Sequence, residues 1–120
     1  MKRQQTGKLA ERMAREYLEK EGYSIIATNW RCPEAEIDII AQKDGETVFV
    51  EVRAKSSADF GTPAESITRR KQEKLIAAAG RYMSEIADAA ADWRIDFIGV
   101  EFLSGGHRLE HIPHAVGGAE

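Results

Sequence analysis

Four charged side chains sit in stretches that otherwise read as buried sheet. The segments Glu36-Ile37-Asp38-Ile39-Ile40 and Val50-Glu51-Val52-Arg53 interleave acids and one arginine with Ile and Val. Between them, Asp44-Gly45 is a strong signal for a two-residue hairpin loop. With Lys43 facing Glu46 across that loop, Asp38 faces Glu51 and Glu36 faces Arg53. Period-two alternation then puts Glu36, Asp38, Glu51 and Arg53 on one face, with Ile37, Ile39, Val50 and Val52 on the other.

Opposed carboxylates in such a pair have Cβ atoms roughly 4.5–5.5 Å apart. At an effective dielectric near 20, like charges ~5 Å apart repel by about 3 kcal/mol. Folding alone does not reward that arrangement. A divalent cation does, because Mg²⁺ or Mn²⁺ takes hard carboxylate oxygens and keeps several waters. Arg53, two residues beyond Glu51, would place a fixed positive charge beside a phosphate. It does not deprotonate, so it cannot be a general base, and activation of water falls to the cation. The bland alternative is a solvated face in which Glu36 pairs with Arg53. A three-residue turn would also misalign the acids by one position.

The elements that must position these residues follow from periodicity. Leu9, Ala10, Met13, Ala14, Tyr17 and Leu18 recur at helical spacing over 7–21, with Gly22 at a left-handed C-cap. Strands are expected at 23–31, 35–42 and 46–54. A long helix should start at an N-cap Thr62, with Pro63 in its first turn and Glu65 closing a capping box. Its buried stripe would be Ile67, Leu75, Ile76, Ala79, Tyr82, Met83 and Ile86. A fourth strand at 94–102 and a short return strand at 107–112, joined across Gly105-Gly106, complete the chain. The order α-β-β-β-α-β implies an α/β class with one mixed sheet, strand four parallel to strand three, and helices on one or both faces. Residues 1–112 make one domain, and 113–120 read as a frayed tail.

Composition narrows the function. The 120 residues carry 17 basic and 20 acidic side chains, net −3, which excludes a general polyanion binder. Charge is unevenly placed, however. Residues 1–15 hold Lys2, Arg3, Lys8, Arg12 and Arg15 against Glu11, and 53–74 hold Arg53, Lys55, Arg69, Arg70, Lys71 and Lys74 against three acids. From 85 onward the sign reverses. Such basic runs meet phosphate or are simply solvated helix faces. The lone Cys32 excludes an internal disulfide framework, and the absence of a signal-type or spanning apolar run predicts a cytoplasmic protein. His107, His111 and His114 fit a surface strand better than a zinc site, and Trp30 and Trp93 fit packing better than base stacking. Lys71, four residues from both Ile67 and Leu75, either reaches the site or snorkels along apolar surface. Glu11, at the edge of the first helix's stripe, reads on its own as a solvated residue.

Asn29-Trp30-Arg31, Ala35-Glu36-Ile37-Asp38 and Phe49-Val50-Glu51-Val52-Arg53 together resemble the YraN-like family of small uncharacterised bacterial proteins. The likeness runs from Gly7 to about Val100 and includes the Gly7…Glu11 spacing, Arg70-Lys71 and Arg94-Ile95-Asp96. That family is similar to the restriction-endonuclease-like superfamily, which includes archaeal Holliday-junction resolvases. The superfamily's PD-(D/E)XK motif matches Asp38, Glu51 and Arg53, with Ile37 in the Pro position and Arg53 in the Lys position. The resemblance implies a nuclease with Mg²⁺ or Mn²⁺ held by Asp38, Glu51, the Val52 carbonyl and Glu11. Arg53 and Lys71 would serve the transition state, and Arg53, Lys55, Arg69, Arg70 and Lys74 would contact DNA. The alternative, which Arg53 in the Lys position favours, is a nucleic-acid-binding module that keeps the fold without cutting. A homodimer would suit action on two strands, though no residue pattern calls for one.

Overall fold

The computed structural model describes residues 3–56, 67–88 and 90–116. Along these residues run α1 (Arg3–Lys20), β1 (Ser24–Arg31), β2 (Glu36–Lys43), β3 (Glu46–Ser56), α2 (Arg69–Glu85), β4 (Trp93–Leu103) and β5 (Gly106–Val116). The strands form one sheet in sequence order, antiparallel except where β3 runs parallel to β4. The fold is α/β, in the order expected, with one helix on each face of the sheet.

Local rules explain most boundaries. α1 starts earlier than position 7 and closes in a Schellman motif. Gly22 adopts φ 95°, its N–H donates to the Glu19 carbonyl, and the Tyr23 N–H donates to the Leu18 carbonyl. Asp44 and Gly45 both have positive φ, the signature of the tight hairpin turn. That turn fixes the β2–β3 register from Lys43↔Glu46 to Ile39↔Val50, as the sequence predicts.

Ala10, Ala14 and Leu18 are fully buried at i, i+4 and i+8 and pack α1 on Ile39, Ala41, Val48, Val50, Ile98 and Val100. On the opposite face Leu75, Ala78, Ala79, Tyr82 and Met83 pack α2 on Ile37, Ile40, Phe49 and Ile95. Strand β4, flanked by β3 and β5, therefore has both faces covered, which accounts for its near-continuous apolar run. Trp30 and Trp93 belong to this second layer, edge-on to Tyr82 and Phe49 respectively. Among the described residues no helix is long and apolar enough to cross a membrane.

Several expectations need correction. The second helix begins at Arg69 with Thr68 as its N-cap, whose hydroxyl accepts the Lys71 N–H at 3.1 Å; Thr62, Pro63 and Glu65 lie outside the described residues. Ile76 stays exposed because it follows buried Leu75 and is turned about 100° away from it on the helix, and Ile86 stays exposed as the C-cap, past the last turn of α2. The last hairpin turns at Ser104-Gly105, with Leu103 facing Gly106. Its return strand extends past Ile112 to Val116, which pairs with Ile95, so His114–Val116 belong to the sheet. Residues 117–120 lie outside the described residues.

Candidate active site

The β2–β3 ladder stops at Ile39↔Val50, and the chemistry begins there. In a regular ladder the Val52 N–H would point at β2's backbone. Here it donates to the Asp38 carboxylate at 2.8 Å. The side chain of Asp38 thus wedges into the fork where the two strands part. Alternation breaks at the same point: Ile39 packs under α1 while Ile37 packs under α2, which corrects the expectation that both share one face. Opposite Asp38 on β1 lies Asn29, held at φ 52°, a left-handed conformation that Asn tolerates better than most residues.

Glu51 is 4% exposed and Asp38 half-buried, and the two carboxyls adjoin. Burial first, then the charge of Glu51 and those of Glu11 and Glu36, together push the Asp38 carboxyl up to about 7 against the Val52 N–H. Burial also raises Glu51, though Lys71, Arg53 and a hydrogen bond with Asp38 partly hold it down. Arg53 Nε lies 3.1 Å and Lys71 Nζ 3.9 Å from Glu51 Oε2. The Arg53 N–H is buried yet not aligned for a hydrogen bond, so the contact is Coulombic rather than directional. Both cations sit on Glu51. Among the described residues, no cationic side chain is within ion-pair distance of Asp38.

The fork therefore brings together four predicted residues, Asp38, Glu51, Arg53 and Lys71, and aims the Val52 backbone at them. Glu11 arrives from α1 at one remove. Asn29 Nδ2 lies 3.4 and 3.5 Å from its two carboxylate oxygens and donates to Glu36 at 3.0 Å. The predicted Glu36–Arg53 pairing is not made. The ladder has ended before that level, so Glu36 instead meets its β1 partner Arg31 at 3.4 Å. Lys55 lies two residues beyond Arg53 on β3. Arg69 is exposed and 4.0 Å from Glu73. Arg70 and Lys74 line a shallow surface recess with Pro33 and Glu34 and do not reach the carboxylates.

A hard cation fits the pair Asp38 and Glu51, since Mg²⁺ is commonly held by one or two carboxylates plus water and substrate oxygens. Among the described residues no three Asp, Glu, His or Cys side chains already converge in a metal-ligating group. Two further carboxylates act on Asp38, those of Glu11 and Glu36, and Asn29 holds both; the predicted ligand Glu11 would have to leave Asn29 to join.

Sequence reasoning missed two arrangements. One is the Asn29 tether just described. The other lies across the sheet, where Asp96 is fully buried on β4. It accepts Arg94 Nε at 2.9 Å and the His114 N–H at 3.1 Å, and it meets His111 Nε2 at 2.8 Å. Tyr17 of α1 reaches His111 Nδ1 at 3.0 Å, and Arg94 also bonds Glu46 and Tyr23. Burial raises the Asp96 carboxyl, but the donors from His111, Arg94 and His114 outweigh it and leave it below its ordinary range. His111 is thus largely buried rather than a surface residue, and the network pins the bulge that sets Pro113–Ala115 opposite Asp96. An Asp between Ile95 and Phe97 in the most apolar strand was the available signal, since buried polar groups need partners.

An α/β protein with paired carboxylates at a strand fork and two cations beside them is the class this geometry defines. The uncharacterised protein family UPF0102 matches residues 10–100, and the chain belongs to that family. A UPF0102 protein of Dehalococcoides mccartyi is 45% identical over 115 residues, covering 96% of this chain and 95% of the relative. Another, of Beutenbergia cavernae, is 44% identical over 108 residues, 88% of this chain and 91% of its own length. A third, of Roseiflexus castenholzii, is 40% identical over 118 residues, 96% and 95% of the two chains.

Proposed function

We propose that the protein is a metal-dependent nuclease that hydrolyses phosphodiester bonds in DNA at the Asp38 fork. The observation that carries this reading is the meeting of Asp38 with Glu51 while both nearby cations stay on Glu51. A half-buried carboxylate beside a second acid and without a cationic partner is costly to ionise, and a divalent ion is the partner that removes the cost. The fold order and the placement of Asp38, Glu51 and Arg53 on successive strands support the likeness to restriction-endonuclease-like proteins. Branched or otherwise structured DNA is the substrate suggested by the resolvase branch of that likeness.

Asp38 and Glu51 would hold Mg²⁺ or Mn²⁺ with the Val52 carbonyl, and Glu11 would join on leaving Asn29. The bound ion supplies Lewis acidity and makes water nucleophilic near neutral pH. Arg53 and Lys71 turn from Glu51 to the phosphate and offset charge developing on its oxygens. Lys55, Arg69, Arg70 and Lys74 extend a basic surface along β3 and α2. The first turn of α2 carries Arg69, Arg70 and Lys71 and no acid, against the helix dipole. An anionic substrate compensates that arrangement.

A second reading has its own observation. Arg53 and Lys71 already neutralise Glu51, as expected of a module that binds nucleic acid without cutting it. Incubation of duplex, single-stranded and junction DNA with Mg²⁺, with Mn²⁺ and with chelator separates the two. The nuclease reading expects metal-dependent products that disappear in Asp38→Ala. Equal cleavage by that variant excludes the mechanism, and metal-independent, salt-sensitive binding without products selects the second reading.

A further inference from the structure

A polar groove of about 600 Å³ opens between α1 and the β1–β2 end of the sheet, lined by Lys8, Glu11, Arg15, Thr28, Asn29, Arg31 and Glu36. We propose that it binds a single-stranded segment of nucleic acid through its phosphates, on the side of the fork opposite α2. The direction of the strand, towards Asp38, rests on the nuclease reading; the binding itself does not.

The charges in the groove are sorted. Its two acids, Glu11 and Glu36, are gathered by the one amide of Asn29, and both act on Asp38. They therefore belong to the fork end. The cations are left for a ligand. Lys8 and Arg15 stand two helical turns apart on one side of α1, and among the described residues neither has an acidic partner within ion-pair distance. Arg12, which does not line the groove, is paired with Glu16 at 3.2 Å. Arg31 is 80% exposed on its side chain, and its contact with Glu36 is loose at 3.4 Å. Three cations free or loosely held around one concavity suit repeated phosphates better than a single carboxylate. A space of this size encloses a drug-sized ligand, so one strand enters it while a duplex rides on its rim.

α1 and α2 cover opposite faces of the sheet. This surface is accordingly separate from the basic run on β3 and α2, and the two flank the fork. Lys8 and Arg15 of the basic N-terminal segment, which the α2-side surface leaves without a role, find one here.

The test is fluorescence anisotropy of a short labelled single-stranded DNA, in chelator, over a series of salt concentrations. The wild-type protein is compared with Lys8→Ala/Arg15→Ala/Arg31→Ala and with Arg12→Ala. Each phosphate contact contributes about 0.7 to the slope of log affinity against log salt, so the triple variant should lose about 2 from that slope. Arg12→Ala should keep it, and all three proteins should share one thermal unfolding midpoint. An unchanged slope in the triple variant overturns the groove while leaving Asp38-dependent cleavage intact. A lost slope in a protein that neither binds Mn²⁺ nor cleaves supports the groove and removes the nuclease reading. Tighter binding of blunt duplex than of single strand, or no binding at low salt, overturns the proposal.

Discussion

Replacing Asp38 by Asn should stabilise the protein at neutral and alkaline pH. The amide is nearly isosteric, can still accept the Val52 N–H and donates to Glu51 as the protonated acid does. What it removes is a charge that the fold disfavours. A carboxyl raised from 3.8 to about 7 by burial and by Glu51 binds its proton more tightly in the folded than in the unfolded chain. Stability therefore falls as pH rises between those values, and the loss is complete above the upper one. At about 1.4 kcal/mol per pH unit the full effect approaches about 4 kcal/mol. Solvent reaching the half-buried carboxyl trims this to roughly 2–4 kcal/mol. For a domain of this length that is a melting-temperature difference of roughly 8–15 °C.

The assay is thermal unfolding of both proteins from pH 3 to pH 9 in chelator. Near pH 3, below the ordinary Asp value of 3.8, the curves should converge, because position 38 is then almost wholly neutral in both the folded and the unfolded chains. They should separate steadily to pH 7 and run parallel beyond, with Asp38→Asn the more stable. Mn²⁺ at about a hundred times its dissociation constant should restore about 2.7 kcal/mol to the wild type and none to the variant. A pH-independent gap, or a variant less stable at pH 8, refutes the claim that Asp38 is held as an uncompensated acid.

Two further outcomes follow from other parts of the structure. His111→Ala strips the buried Asp96 of one donor and leaves the Tyr17 hydroxyl without its partner. Urea unfolding should show a loss of about 2–4 kcal/mol, and a loss under about 1 kcal/mol would mean that water replaces the ring at no cost. Arg81 holds both Glu34 oxygens, at 2.7 and 2.6 Å, and ties the β1–β2 loop to α2; its hydrogen bonds keep the Glu34 carboxyl down at about 2. That contribution is present above the ordinary Glu range and fades as pH falls towards 2. In Arg81→Ala, NMR titration should find Glu34 back in the ordinary carboxylate range, and a midpoint still near 2 would show that another group holds it.

The fold was legible because local signals agreed with one another. Asp44-Gly45 set the register, Gly22 ended α1, and Ala10, Ala14 and Leu18 marked a face narrow enough to lie close on a sheet. Each is decided by residues a few positions apart. The start of α2 was not, because Thr62 and Thr68 both offer a capping hydroxyl and only the packing of Leu75 and Ala78 fixes the phase of the helix. The tail was misjudged for a related reason: Val116 has no local cue to be a strand and is held by a bulge that depends on Asp96, twenty positions earlier.

At the site, alternation along β2 and β3 was enough to bring Asp38 and Glu51 together, yet it could not say how. Period two assumes a continuous ladder, and this one stops because the Asp38 carboxylate takes the Val52 N–H. Ending the ladder has consequences that a regular sheet would forbid. It lets Ile37 leave the face of Ile39, leaves Glu36 to Arg31, and opens the fork to α1 through Glu11 as well as to α2 through Lys71. A continuous pair would have shown its acids to one helix only. The residue that interrupts the pattern is also the one left without a cation, so the same side chain builds the opening and supplies the charge that asks for a ligand.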